Sequence, residues 1–194
     1  MAEIRSVCVY CASSSRGPES HRDAARRLGT TLAENNVRLI FGGGRVGLMG
    51  VTADAALAAG GEVVGVIPHF LQELELGHDG CDELMITDSM HSRKQRMAEL
   101  ADGFAILPGG IGTLDEAFEI ITWRQLGRHD KPIVLVDIED YWSPFHTLMD
   151  HIVDHNYMHG HHNTLFDVVS GVEEVLPALR AAPPSTQPFE SKWL

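Results

Sequence analysis

Residues 103–122 read GFAILPGGIGTLDEAFEIIT, and the hydrophobic period changes in the middle of this stretch. Gly103 to Leu107 is a short, mostly apolar run of the kind that forms a buried parallel strand. Pro108 to Gly112, with three glycines in five positions, cannot extend it. From Thr113 the apolar residues Leu114, Phe118, Ile121 and Leu126 recur at helical spacing on roughly one face. The expectation is a strand that stops at Pro108, a glycine turn, and a helix over 113–126.

Working outward, the same alternation repeats along the chain. Strand-like runs at 6–11, 37–41, 62–67, 83–87, 104–107 and 133–136 are separated by helical stretches at 19–35, 47–59, 89–101, 113–126, 144–156 and 172–181. Strands that alternate with helices form a parallel sheet with both faces covered, so the fold class is α/β, Rossmann-like, in a single domain over 1–181. APPSTQP from Ala182 marks a mobile tail over 182–194. In such a sheet, ligands bind in the crevice at the carboxyl ends of the strands. Three loops qualify, 11–15, 42–47 and 108–113, each placed between a strand and a helix.

The glycine turn has a definite chemistry. A helix start offers unpaired amide donors at the positive end of the peptide dipole. The bare backbone at Gly109, Gly110 and Gly112 lets a phosphate come close, and Thr113 adds a hydroxyl donor. Asp115 and Glu116 follow within a turn. Taken alone, Thr113-x-x-Glu116 is an ordinary capping signature, but an acid chosen only for the dipole sits badly beside a phosphate, which gives the pair a chemical reading too. Upstream, Asp88 or Ser89 can cap a helix that carries Arg93, Lys94 and Arg96. Such a basic run is often only a solvated face, yet it also supplies local cations for an anionic ligand. Arg93 shares a face with Met97, whereas Lys94 points about 100° away, so the two cations have different jobs.

Composition narrows the classes. The 194 residues are 44% hydrophobic and 22% charged, ordinary globular usage for one domain. A net charge of −12 opposes binding to nucleic acid polymers and anionic membranes. No stretch approaches the ~20 apolar residues of a membrane span and no leader pattern opens the chain, so a cytoplasmic location is expected.

Cys8 and Cys11 have C-x-x-C spacing, but strand alternation turns them to opposite faces, and the expectation is small buried residues with no metal. His151, His155 and His159 fall at i, i+4, i+8, with His161 and His162 nearby, but without a convincing acidic partner a surface role is expected. Gly42, Gly44 and Gly47 satisfy G-x-G-x-x-G after the second strand, where no ribose-binding acid follows, so the dinucleotide fingerprint is weak.

Met90-His91-x-Arg93-Lys94, followed by Pro108-Gly109-Gly110-Ile111-Gly112-Thr113-Leu114-Asp115-Glu116, resembles the LOG ("Lonely Guy") family of cytokinin riboside 5'-monophosphate phosphoribohydrolases, long mislabelled as lysine decarboxylases. The resemblance extends to Cys11-Ala12-Ser13-Ser14, the run from Gly42 to Gly50, Val66-Ile67-Pro68, and Ile121-Thr122-Trp123 with the segment to Pro132. Ala12 stands where many members have Gly, Asp115 where Glu is common, and Ser92 where Glu is frequent.

The resemblance implies that Arg93 and Glu116 are the catalytic pair. It implies that Glu75, Met90, Lys94, Gly109, Gly110, Ile111, Gly112, Thr113, Leu114, Asp115 and Thr122 bind the substrate, a nucleoside 5'-monophosphate. It further implies hydrolysis of the N-glycosidic bond of N6-modified adenosine 5'-monophosphates, with AMP as a weaker substrate, no metal or organic cofactor, and a homodimer with the pocket near the contact between the helices at 89–101 and 113–126. Two other classes stand beside it. A nonenzymatic nucleotide or cofactor carrier on the same fold would keep the glycine turn without needing Glu116 together with Arg93. A lysine decarboxylase would need a lysine for pyridoxal phosphate, and the chain has only Lys94, Lys131 and Lys192.

Overall fold

The strand, turn and helix of the opening stretch sit near the middle of a parallel sheet in the computed structural model, which describes residues 3–74, 76–158 and 165–183. Among these residues the strands are β1 (Ser6–Tyr10), β2 (Arg38–Phe41), β3 (Val63–Pro68), β4 (Glu83–Thr87), β5 (Gly103–Ile106), β6 (Ile133–Val136) and β7 (Asp167–Val169). They pair in the order β4-β3-β2-β1-β5-β6-β7, every pair parallel. The order reverses at β1, where Val7 pairs with Leu39 on one side and Gly103 on the other. The crevice expected for a ligand therefore opens between the ends of β1 and β5.

Helices α1 (Glu19–Glu34), α2 (Gly47–Ala58) and α7 (Val175–Ala181) cover one face, and α4 (Met90–Leu100), α5 (Ile111–Gln125) and α6 (Ser143–Asp154) the other; α3 (His69–Gln72) is a single turn after β3. Strand alternation sorts the core. Val7, Val9, Leu39 and Phe41 pack with Leu28, Leu32, Ala53 and Leu179, while Cys8, Tyr10, Ile40 and Phe104 pack with Met97, Ile120 and Phe145. Full burial of side chains such as Leu28 and Leu32 contributes roughly 1.5–3 kcal/mol each. Cys8 and Cys11 fall in opposite clusters, as the alternation requires, and both are free thiols.

Three local differences from the sequence reading matter. α5 starts at Ile111 instead of Thr113, because Gly110 is extended (φ −91°, ψ −154°) and its carbonyl accepts the first helical bond from the Leu114 N–H at 3.0 Å. The turn α3 and the three-residue edge strand β7 are too short to leave a periodic signal. Of the tail expected over 182–194, residues 184–194 lie outside the described residues.

Candidate active site

The three loops converge as the topology demands. The Ala12 N–H donates to the Pro108 carbonyl (3.1 Å), and the Leu48 N–H donates to the Ala12 carbonyl (2.8 Å), tying the ends of β1 and β5 to the start of α2. Between them lies a cavity of about 460 Å³. Its floor is Cys11, Ser13, Gly42 and Gly44; one wall is Gly110, Ile111, Gly112, Thr113 and Glu116; the other is apolar, with Val46, Met49, Ile67, Leu71 and Leu76; Met90 and Arg93 close it from α4.

Ser89 caps α4 through a reciprocal box, its Oγ accepting from the Ser92 N–H (3.1 Å) and its own N–H donating to Ser92 Oγ (3.0 Å). Ser92 thus does the capping at the position where Glu is frequent in the family. The cap sets the rotation of α4, and that rotation drives Arg93 inward. Its Nε donates to the Val66 carbonyl (3.1 Å) and its Nη2 to the Gly42 carbonyl (3.2 Å), while Nη1 lies 3.5 Å from Glu116 Oε1. Room for the guanidinium depends on Gly42: a Cβ there would sit 1.8 Å from Nη2. The glycines of the G-x-G-x-x-G match therefore serve internal packing. Gly47, at φ +72°, likewise leaves no space for a Cβ beside Ser13.

Glu116 is buried, and with α5 beginning at Ile111 it lies in the second turn, beyond capping range. The bland reading of Thr113-x-x-Glu116 as a capping box therefore fails on geometry. Burial pushes the Glu116 carboxyl up to about 7; the Arg93 guanidinium opposes this, Asp115 adds to it, and Lys94 opposes it more weakly. A buried acid balanced near neutrality beside a fixed cation is suited to proton transfer or to stabilising a developing positive charge.

Lys94 lies on a different face of α4, as the helical rotation requires. Its Nζ donates to Asp115 Oδ2 (2.9 Å) and approaches Glu119 Oε2 (3.2 Å). Burial alone would lower its pKa, but the hydrogen bonds it donates to the two carboxylates outweigh that and raise it. Arg96 pairs with Glu99 (3.2 Å), so of the three cations on this helix only Arg93 lines the cavity.

Of the expected binding residues, Met90, Gly110, Ile111, Gly112 and Thr113 line the cavity with Arg93 and Glu116. Gly109 lies just behind the wall, pressed against Thr113, whose Oγ1 a Cβ at Gly109 would approach to 2.1 Å. Lys94, Leu114, Asp115 and Thr122 are not brought to it: Leu114 packs toward the core, Asp115 is taken by Lys94, and Thr122 is exposed more than two turns along α5. Glu75 lies outside the described residues. The apolar wall of Leu71 and Leu76 leaves no signal in the sequence because its residues sit on a single turn and a loop, without period.

A second hollow, of about 490 Å³, is lined by Glu99, Trp123, His129 and Lys131 among others. Two of its polar groups are already engaged: Lys131 Nζ donates to the Ala98 carbonyl (2.7 Å), and His129 Nε2 donates to the Ile120 carbonyl (3.0 Å). The His151 and His155 ring centroids lie 4.1 Å apart with the planes tilted by 42°, and His155 Nδ1 donates to the His151 carbonyl (2.9 Å), while His159, His161 and His162 lie outside the described residues. Among the described residues no three His, Cys, Asp or Glu side chains are placed to hold a metal ion.

Solved structures share this architecture. A molybdenum cofactor binding protein from Rippkaea orientalis superposes with a TM-score of 0.70 at 18% identity, over 93% of this chain and 98% of its own. The Moco carrier protein from Chlamydomonas reinhardtii does so at 0.69 and 22%, over 92% and 96%. At these identities the likeness establishes the fold. Fold and site together define a class of Rossmann-like α/β proteins in which a glycine-rich helix start faces a buried acid–guanidinium pair. In sequence, the family described as "Possible lysine decarboxylase" matches residues 49–179. A cytokinin riboside 5'-monophosphate phosphoribohydrolase of Arabidopsis thaliana is 41% identical over 157 residues, 81% of this chain and 74% of its own. One of Rhodococcoides fascians is 39% identical over 178 residues, 91% and 90%. The chain belongs to this family, the LOG family of phosphoribohydrolases.

Proposed function

We propose that this protein hydrolyses the N-glycosidic bond of N6-modified adenosine 5'-monophosphates, and of AMP more slowly, to the free base and ribose 5-phosphate. The observation that carries the reading is Glu116, buried and held beside Arg93, one turn from the open amides of Gly110 to Thr113. The 5'-phosphate seats on those amides, where a Cβ at Gly110 or Gly112 would meet nothing and an anion has free approach. Seating the phosphate fixes the ribose relative to Glu116. As the bond to the base lengthens, positive charge grows on the ribose. The carboxylate stabilises it and takes a proton from the attacking water, whose oxygen bonds to the anomeric carbon as the base leaves with the bonding electrons; that proton then passes to the base, directly or through solvent, which restores the carboxylate. Arg93, fixed by two carbonyls, complements the carboxylate and orients ribose or phosphate oxygens. The apolar wall of Val46, Ile67, Leu71 and Leu76 offers burial to an alkyl group on the base.

The family's alternative label finds no support in the two lysines among the described residues. Lys94 is engaged by two carboxylates and Lys131 by two carbonyls at the end of α4, so neither points a free amine into the cavity. The reading includes a cytoplasmic homodimer joined near α4 and α5. Among the described residues no helix is long and apolar enough to cross a membrane, and size-exclusion chromatography with light scattering checks the dimer.

The test is incubation with isopentenyl-AMP, AMP and isopentenyladenosine. Free base with ribose 5-phosphate is expected from the first, less from the second and little from the third. Equal turnover of the plain nucleoside would remove the phosphate seat, and release of no base from any of the three would end the reading.

A further inference from the structure

After β6 the chain makes a turn held in an uncommon way. Glu139 and Asp140 both stand in the left-handed region, at φ 54° and 59°, and neither is glycine. Such residues are strained, and consecutive examples persist only where the surroundings enforce them. Here they do: Asp137 Oδ1 accepts from the Trp142 N–H (2.8 Å), and Ser20 Oγ donates to Glu139 Oε2 (2.9 Å). The result is that Tyr141 is turned toward the β5–α5 turn. Its ring meets His21 edge-on at 5.2 Å, and its phenol donates to the Gly109 carbonyl at 2.7 Å.

That carbonyl belongs to the same rigid plane as the Gly110 N–H, and the two point in opposite directions. A hydrogen bond that fixes the Gly109 oxygen therefore fixes the direction of the amide of Gly110, a residue that lines the cavity, and polarises it as a donor. Thr113, packed against the Cα of Gly109, holds the peptide from the other side. We infer that Tyr141 is a positioning residue for the anion seat: its phenol holds the Gly109–Gly110 peptide so that the first amides of α5 stay aimed at the 5'-phosphate. The inference deepens the proposed function and rests on its reading of the glycine turn as that seat.

Tyr141→Phe removes the hydroxyl and little else. The dissociation constant of ribose 5-phosphate, measured by calorimetry, is expected to rise about fivefold, the loss of one hydrogen bond. KM for AMP should rise by the same factor, with kcat within twofold and an unfolding midpoint near that of wild type. A residue that only supports the fold would instead lower the midpoint and depress kcat, and that result would overturn the inference. Asp140→Gly, which relieves the left-handed strain and keeps the phenol, should bind as wild type does; an equal loss there would place the effect in the loop and count against the hydroxyl. Wild type binding ribose 5-phosphate while Tyr141→Phe binds it equally well sinks this inference alone. Wild type failing to bind it takes the anion seat down as well.

Discussion

Arg93 Nη1 and Glu116 Oε1 stand 3.5 Å apart with their side chains 8% and 9% exposed, an ion pair too long to be a hydrogen bond. The guanidinium donates instead to the Val66 and Gly42 carbonyls and, through Nη1, to Met90 Sδ at 3.8 Å, so the carboxylate keeps its lone pairs for water or substrate. Glu116 must be ionised to stabilise positive charge or accept a proton, and burial places its carboxyl at about 7. With isopentenyl-AMP, kcat/KM is therefore expected to climb through neutral pH to a plateau above it. Glu116→Gln should keep ribose 5-phosphate binding and lose kcat by about a hundredfold or more. A profile that falls through neutral pH would reassign Glu116 as an acid.

The same carboxyl links stability to pH. Its folded value, about 7, lies above the ordinary 4.5, so the native state binds the extra proton between these limits. The contribution is fully present below about 4.5, fades as pH rises and is gone above about 7. Relative to Glu116→Gln, which does not titrate, the wild type is expected to lose about 3 kcal/mol between pH 4 and pH 8. Denaturant titration of both proteins at both pH values reads the difference, and any constant effect of leaving Arg93 unpaired cancels. A pH-independent difference would mean that Glu116 ionises normally.

Gly42 offers a route to the guanidinium that leaves both charged residues in place. In Gly42→Ala the new methyl would fall 1.8 Å from Arg93 Nη2, and the flexible end of the arginine must move. Loss of kcat close to that of Arg93→Ala is expected, of the order of a hundredfold. Glu116, relieved of its nearest cation, should titrate higher, an effect visible by carboxyl NMR without substrate. Wild-type kcat in Gly42→Ala would show that the position of the guanidinium is unimportant.

The division of labour between Arg93 and Lys94 was legible in the sequence because helical rotation alone separates them by about 100°. The gathering of three loops at one crevice was legible because a parallel α/β order puts the loops after β1, β2 and β5 at one end, whereas the strand order that places the reversal at β1 was not. What escaped was set by tertiary contact. The start of α5 moved two residues upstream on the extended backbone of Gly110, and with it Glu116 left capping range. Asp115, which the family pattern puts at the ligand, also pairs with Lys94 across two helices, a contact beyond the reach of local periodicity. Tyr141 reaches a carbonyl thirty-two residues away, which no local period announces. The wall at Leu71 and Leu76 rides on the single turn α3 and the loop after it.

Gly112 separates the demands of folding from those of binding. It lies in the first turn of α5, outside the left-handed region, and a Cβ built on it meets nothing. Nothing in the packing therefore calls for glycine, and Ala at a helical position is expected to stabilise the protein by about 0.5–1 kcal/mol. The empty space, however, opens into the cavity where the phosphate is proposed to sit. Gly112→Ala should accordingly raise the unfolding midpoint by a few degrees while raising KM for AMP about tenfold or more, because the methyl holds the anion off the amides. Opposite signs in the two measurements are the signature of a glycine kept for its ligand. A variant that is more stable and binds AMP as well as wild type would move the anion to another part of the cavity.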